Sequence, residues 1–126
     1  MRAAGQFVRH GRVVSGGSTL TMQVARLLEG QPTRGLAGKT RQMVSALALE
    51  WRLDKVAILE RYLLLAPYGG NLEGIRAATL AWFGKEPGRL TPAQAALLVA
   101  LPQAPEARRP DRDPVAAERA RDRVLA

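Results

Sequence analysis

The chain has 126 residues, 47% of them apolar, and no cysteine, which leaves room for one core and excludes disulfides and thiolate metal centres. Its single histidine, His10, excludes a histidine-rich metal site, and 19 Lys and Arg against 11 Asp and Glu give a net charge of +8. Such a surface suits nucleic acid, anionic lipid or a phosphorylated substrate, and charge alone does not choose among them.

Alanine, leucine, arginine and glutamate dominate while β-branched and aromatic residues are few, so helices rather than strands are predicted. Residues 2 to 13 read as a short basic helix with Ala3, Ala4, Phe7 and Val8 on a weak apolar side. The longest apolar run, Ala95 to Leu101, falls far short of the ~20 residues a membrane-spanning helix needs. Membrane contact is therefore expected to be peripheral, or to come through sequence outside this chain.

Gly16 and Gly17 free the backbone, and Ser18 is predicted to cap a helix starting at Thr19. At about 100° per residue, Leu20, Val24, Leu27 and Leu28 share one face while Thr19, Gln23 and Arg26 share another. The second stripe presents a hydroxyl, an amide and a guanidinium near a helix N-terminus, where free N–H groups and the macrodipole favour an anion. A phosphate-bearing ligand suits it. The plainer reading of the same residues is a loop, a cap and a solvated polar face.

Glu29 to Thr33 break the pattern, with Gly30 placed to end the helix and RGLAG extending the loop. Helical spacing resumes from Lys39 to Leu53, with Met43, Leu47 and Trp51 at i, i+4 and i+8 and Leu49 and Leu53 beside them. Most of that circumference is apolar, which predicts a central helix. Asp54 then caps a second apolar helix, Val56 to Ala66, stopped by Pro67, and the two are expected to form an antiparallel pair. Lys39, Thr40, Arg41 and Gln42 open the long helix as a second candidate site. Lys39 and Gln42 share a face and can meet the Thr19, Gln23 and Arg26 stripe across a cleft. Cations are poorly placed at a helix N-terminus, which itself hints at an anionic ligand.

Glycines and Asn71 in PYGGNLEG predict turns, followed by a helix from Ile75 to Phe83 ended by Gly84. Thr91, Pro92 and Gln94 form a capping arrangement for an apolar helix that runs to Leu101. The proline- and arginine-rich stretch from Pro102 to Pro114 reads as an extended surface strap. Asp113 and Pro114 then begin a last helix whose charges face water. The whole is an all-α domain of about six helices.

GGSTLTMQ, followed by Arg26, resembles the second motif of glycosyltransferase family 51, the peptidoglycan glycosyltransferases. KTRQMVSALALEWRLDK resembles the third, its apolar run closing on Glu50. ILERYLLLAPYGG resembles the fourth, with Leu64 where many members carry Asn, and GIRAATLAWFGK the fifth. LTPAQAALLVALPQAP and PDRDP continue the likeness, which covers residue 11 to the end. The wording of APYGG, LPQAP and PDRDP is most similar to the C-type class A penicillin-binding proteins.

This resemblance implies a lysozyme-like helical domain lacking its N-terminal part, with residues 1–126 a partial transglycosylase domain that polymerises lipid II into glycan strands. Carried over by position, the substrate-binding residues are Ser18, Thr19, Gln23, Arg26, Lys39, Arg41 and Gln42. No cofactor is identified from the residues, and the resemblance admits a divalent cation. Its implied partners are lipid II, the nascent glycan strand and a membrane surface, not nucleic acid. The implied location is the outer face of the bacterial cytoplasmic membrane, through an anchor in a parent protein.

Two departures bear on the chemistry. No Glu or Asp precedes Glu29, so the family's first motif, which supplies the general base, has no counterpart here. Gln42 stands at the second family Glu position and offers an amide in place of a charge, a change the C-type branch shares. In the reaction a sugar 4-hydroxyl attacks an anomeric carbon bearing lipid-linked pyrophosphate. Arg26, Lys39 and Arg41 suit neutralisation of the phosphates, but no residue stands where the acceptor must be deprotonated. Glu50 closes the long helix beside Trp51, and Glu60 is expected to be a buried structural hydrogen-bonder. These 126 residues are thus expected to bind lipid pyrophosphate without polymerising it. The alternatives are a non-catalytic lipid-pyrophosphate-binding or scaffold domain and a basic all-α nucleic-acid-binding module, which lacks any groove-reading pattern.

Overall fold

The computed structural model describes residues 19–30 and 34–126. The predicted helix over 2–13, His10, the Gly16–Gly17 pair and Ser18 lie outside the described residues. Among the described residues there are six α-helices: α1 (Leu20–Glu29), α2 (Gly35–Arg52), α3 (Lys55–Leu65), α4 (Ile75–Phe83), α5 (Pro92–Ala100) and α6 (Pro114–Leu125). Two single 3-10 turns, Pro87–Arg89 and Leu101–Gln103, and one isolated bridge between Pro67 and Glu73 complete the pattern. The chain divides into two compact units, with the boundary inside α3 after Tyr62.

In the first unit α1 packs on α2. The expected partner of α2 was α3. α1 ends at Gly30, which lies in the left-handed region at φ 61° and donates its N–H to the Arg26 carbonyl. The two helices run antiparallel. Thr21 at the start of α1 bonds Glu50 near the end of α2, and Glu29 at the end of α1 meets Arg41 and Ser45 in the first half of α2.

The buried side of α1 is Thr21, Met22, Val24 and Ala25; of the predicted stripe only Val24 is buried, while Leu20 and Leu28 are exposed. On α2 only Gln42 and Ala46 are buried, while Leu36, Met43, Val44, Leu47 and Trp51 face outward. The predicted central helix therefore has one narrow packed face. Helical spacing identifies residues that share a side, but it does not tell which side has a partner. Asp54 caps α3 as predicted, its Oδ1 accepting the Ala57 N–H at 2.8 Å.

In the second unit α5 packs on α6 and α4 packs on α5. Ala96, Leu97, Leu98, Ala100 and Leu101 meet Ala117 and Ala120, and Ala78 and Thr79 are buried on α4. The small residues let the helices approach closely. The Thr91–Gln94 capping box is present in both directions, Gly84 ends α4 in the left-handed region at φ 62°, and Asp113 caps α6.

The stretch from Pro102 to Asp113 is turned rather than extended, which corrects the predicted strap. Backbone bonds from Ala104 to Leu101, Arg108 to Ala104, and Arg112 and Asp113 to Arg109 wind it into successive turns. Arginine side chains supply the reason: Arg108 donates to the Ala100 carbonyl at 2.6 Å and to Gln103 at 3.0 Å, closing off the C-terminus of α5. Arg109, held by Asp111 at 2.7 Å, lies over Gly69 and Gly70.

Candidate functional site

Thr19, not Ser18, is the N-cap of α1: its extended backbone (φ −72°, ψ 162°) ends the loop, and its Oγ1 accepts the Met22 N–H at 3.2 Å. Thr19 thereby spends its side chain on the helix and leaves the helix stripe that the sequence suggested. The buried Thr21 supplies the next polar contact, donating to Glu50 Oε1 at 2.8 Å.

These residues line a cleft of about 720 Å³ formed by Thr19, Leu20, Thr21, Glu50, Leu53, Asp54, Lys55 and Ile58. Sequence reasoning missed it, because Thr21 and Glu50 are distant in the chain. The available signal was Thr21, a threonine set among the apolar residues Leu20, Met22 and Val24.

The predicted basic residues lie toward the opposite end of the helix pair. Lys39 lies in the second turn of α2, because that helix begins at Gly35 rather than Lys39, so no helix N-terminus disfavours its charge. By helical register Lys39 shares a side with the buried Gln42 and Ala46, the side packed on α1. Thr40 donates its hydroxyl to the Leu36 carbonyl at 2.9 Å and is occupied within the helix. The Nε of Arg41 approaches Glu29 Oε2 at 3.4 Å, and Ser45 donates to Glu29 Oε1 at 2.6 Å.

Arg26, one turn before Glu29, is exposed, and neither it nor Lys39 has a carboxylate partner among the described residues. Gln23 is half-buried. Burial raises the pKa of the half-buried Tyr62 phenol on α3, and the charge of Arg26 lowers it by a lesser amount, so Arg26 and Tyr62 are electrostatic neighbours.

The predicted site thus comes apart into two places. Thr19 belongs to the Glu50 end. Lys39, Arg41 and Gln42 belong to the Glu29 end, about 12 to 16 Å from Glu50 along α2 at the helical rise per residue. The expectation that Lys39 and Gln42 meet the whole Thr19, Gln23 and Arg26 stripe holds at most for the C-terminal half of α1. Ser18 lies outside the described residues.

Glu60 is exposed on α3, correcting its expected burial. Among the described residues no group of three or more His, Cys, Asp and Glu stands together as a metal-binding cluster. No described helix is long and apolar enough to cross a membrane.

Fold and site define an all-α protein whose first described helix pair carries a carboxylate-lined cleft at one end and the cations Arg26, Lys39 and Arg41 toward the other. The chain belongs to the transglycosylase family, which matches it over residues 1–126. It is 56% identical over 124 residues to penicillin-binding protein 1C of Escherichia coli, covering 98% of this chain and 16% of that protein. It is 39% identical to penicillin-binding protein 1A of Aquifex aeolicus, over 99% of this chain and 17% of the relative. A biosynthetic peptidoglycan transglycosylase of Azoarcus is 37% identical over 79% of this chain and 43% of its own length. The chain therefore spans about a sixth of the penicillin-binding relatives it matches.

Proposed function

We propose that the chain is part of a peptidoglycan glycosyltransferase domain, which extends glycan strands from lipid II at the outer face of the bacterial cytoplasmic membrane. Membership of the transglycosylase family supports the reaction class. The observation that carries the substrate reading is the pair Arg26 and Lys39, cations on two packed helices with no carboxylate to neutralise them among the described residues. Desolvated by a ligand, they can make charge-assisted contacts to a pyrophosphate and stabilise the negative charge that develops on it as the anomeric bond breaks. Arg41 adds a third cation, partly offset by Glu29. Gln42, buried between the helices, contributes an amide and no charge.

Proton removal from the acceptor hydroxyl is a separate requirement. Glu50 is the carboxylate in the cleft at the other end of the pair, already accepting from Thr21, and it is too far along α2 to serve a sugar held at Lys39. The reading therefore assigns phosphate binding, and no base, to these residues.

Binding measured on this chain tests it. Short-chain lipid II is expected to bind, and Arg26→Ala or Lys39→Ala to weaken it about tenfold each, the loss of one charge-assisted contact. Arg119→Ala and Arg123→Ala, exposed on α6, remove the same charge and are expected to leave affinity within about twofold. A nucleic-acid module would instead bind duplex DNA with a steep salt dependence and lose affinity equally at all four positions. That result would reject the pyrophosphate reading.

A further inference from the structure

Glu29 is an acidic residue in an unfavourable place. It is the last residue of α1, where the negative end of the helix dipole opposes a carboxylate. Its side chain is nonetheless 23% exposed and both of its oxygens are engaged: Oε1 accepts from Ser45 at 2.6 Å and Oε2 faces Arg41 Nε at 3.4 Å. Arg41 and Ser45 are four residues apart and lie one above the other on α2, so Glu29 grips two successive turns of it. Among the described residues this is the one ion pair that joins two α-helices; the others lie within one helix, within a connecting segment or between a helix and the segment that follows it.

From this geometry we propose that Glu29 is a positioning residue, which with Ser45 orients the Arg41 guanidinium toward a substrate pyrophosphate. The proposal rests on the reading of Arg41 as a phosphate contact. Its content is the direction of approach. The carboxylate comes in on the Nε side of Arg41, which leaves the Nη1–Nη2 edge of the fork for two phosphate oxygens. The Arg41 side chain is 56% exposed, and without a fixed partner it would sample many rotamers, whose loss on binding costs affinity. Ser45 is the anchor. Its hydroxyl holds the other carboxylate oxygen, Oε1, so Glu29 stays put when Arg41 turns its outer edge to a ligand.

The sign of the effect separates this role from simple charge. Glu29 is the carboxylate nearest the cations, so removing it raises the local positive potential and, by electrostatics alone, tightens an anion. Positioning requires the opposite.

The test is a double-mutant cycle on affinity for short-chain lipid II and, separately, inorganic pyrophosphate, with circular dichroism and thermal unfolding of each variant. Expected are a roughly tenfold weakening with Glu29→Ala, a similar weakening with Arg41→Ala, and no further loss when both are combined. Ser45→Ala, which leaves the ion pair in place, is expected to weaken binding about threefold without changing the helical signal. Glu29→Gln has a single acceptor oxygen, which serves either Ser45 or Arg41 but not both, and is expected to recover part of the affinity lost in Glu29→Ala.

Tighter binding in Glu29→Ala, or losses that add in the double variant, would overturn the proposal and leave Arg41 as an independent contact. If Glu29→Ala unfolds the chain, unchanged affinity in folded Ser45→Ala overturns it as well. Unchanged affinity in Arg41→Ala beside weakened binding in Arg26→Ala and Lys39→Ala would reject Arg41 as a contact, and the positioning role with it, while the proposed function stands. Unchanged binding in all three would reject the function itself.

Discussion

Thr21 on α1 donates to Glu50 on α2 across a gap of 2.8 Å, and it does so from a buried position, with its residue only 6% exposed. The bond pins the start of α1 to the end of α2, while Glu29 pins the other end. A helix of 10 residues has little stability of its own, so its register against α2 depends on such contacts.

Replacing Thr21 by Val keeps the shape and removes the donor. Thr21→Val is expected to lower stability by about 1 kcal/mol, less than a fully buried charged bond, because Glu50 is exposed and water replaces the hydroxyl. Urea unfolding of the variant beside Glu50→Gln, which still accepts the bond, checks this. A larger loss in Glu50→Gln would show that the charge rather than the bond matters.

Gly74 and Gly84 both have positive φ, at 87° and 62°, but their surroundings differ. A Cβ on Gly74 would meet the Leu64 carbonyl oxygen at 2.8 Å, whereas one on Gly84 finds nothing within 4 Å. Gly84→Ala should therefore cost about 1 kcal/mol, the penalty of the left-handed conformation alone. Gly74→Ala adds a clash with backbone and is expected to cost more than about 2 kcal/mol. Equal losses in thermal unfolding would mean that the Ala66–Gly74 turn relaxes freely.

The capping box of α5 predicts a graded pair. Thr91→Ala removes the acceptor for the Gln94 N–H and should cost about 1 kcal/mol, while Thr91→Ser keeps it and should cost a few tenths.

Tyr62 gives a titration with a defined sign. Burial pushes its pKa above the usual 10 and the Arg26 charge opposes that. Removing the guanidinium leaves burial unopposed, so Arg26→Ala should move the Tyr62 ionisation, followed by the phenolate absorbance, to still higher pH. A pyrophosphate ligand on Arg26 should do the same by neutralising it. Because the folded pKa is raised, the phenol favours the folded state less once pH exceeds the unfolded value, and stability falls as pH rises from there through the folded pKa. Tyr62→Phe should remove that part of the alkaline decline. No change in the titration on Arg26→Ala would separate the two residues.

What the sequence made legible was local. The stop at Gly84, the Thr91–Gln94 box and the Asp54 and Asp113 caps all follow from short-range rules about backbone φ and orphan N–H groups, and each is where those rules put it. The start of α1 slipped by one residue because Ser and Thr compete on nearly equal terms for a cap. Partnership was not legible. Leu47 and Val24 belong to equally good apolar stripes, yet Val24 is fully buried and Leu47 is 65% exposed, since a stripe does not name the side that finds a partner. Of the candidate site, the cations could be read from a motif, while Glu29 looked like part of a loop. Its part as a clamp depends on a contact sixteen residues away.

Trp51, near the end of α2, is 92% exposed, and the other tryptophan of the chain, Trp82, is half-buried with its indole N–H bonded to the Tyr68 carbonyl. The two lie in different compact units. Their fluorescence is therefore separable by solvent: iodide, drawn to the neighbouring Arg52 and Lys55, should quench Trp51 strongly and Trp82 weakly. The molecule carries its own optical label on the bare side of its longest helix, and any surface that comes to cover that side will announce itself as emission shifted to the blue and shielded from quencher.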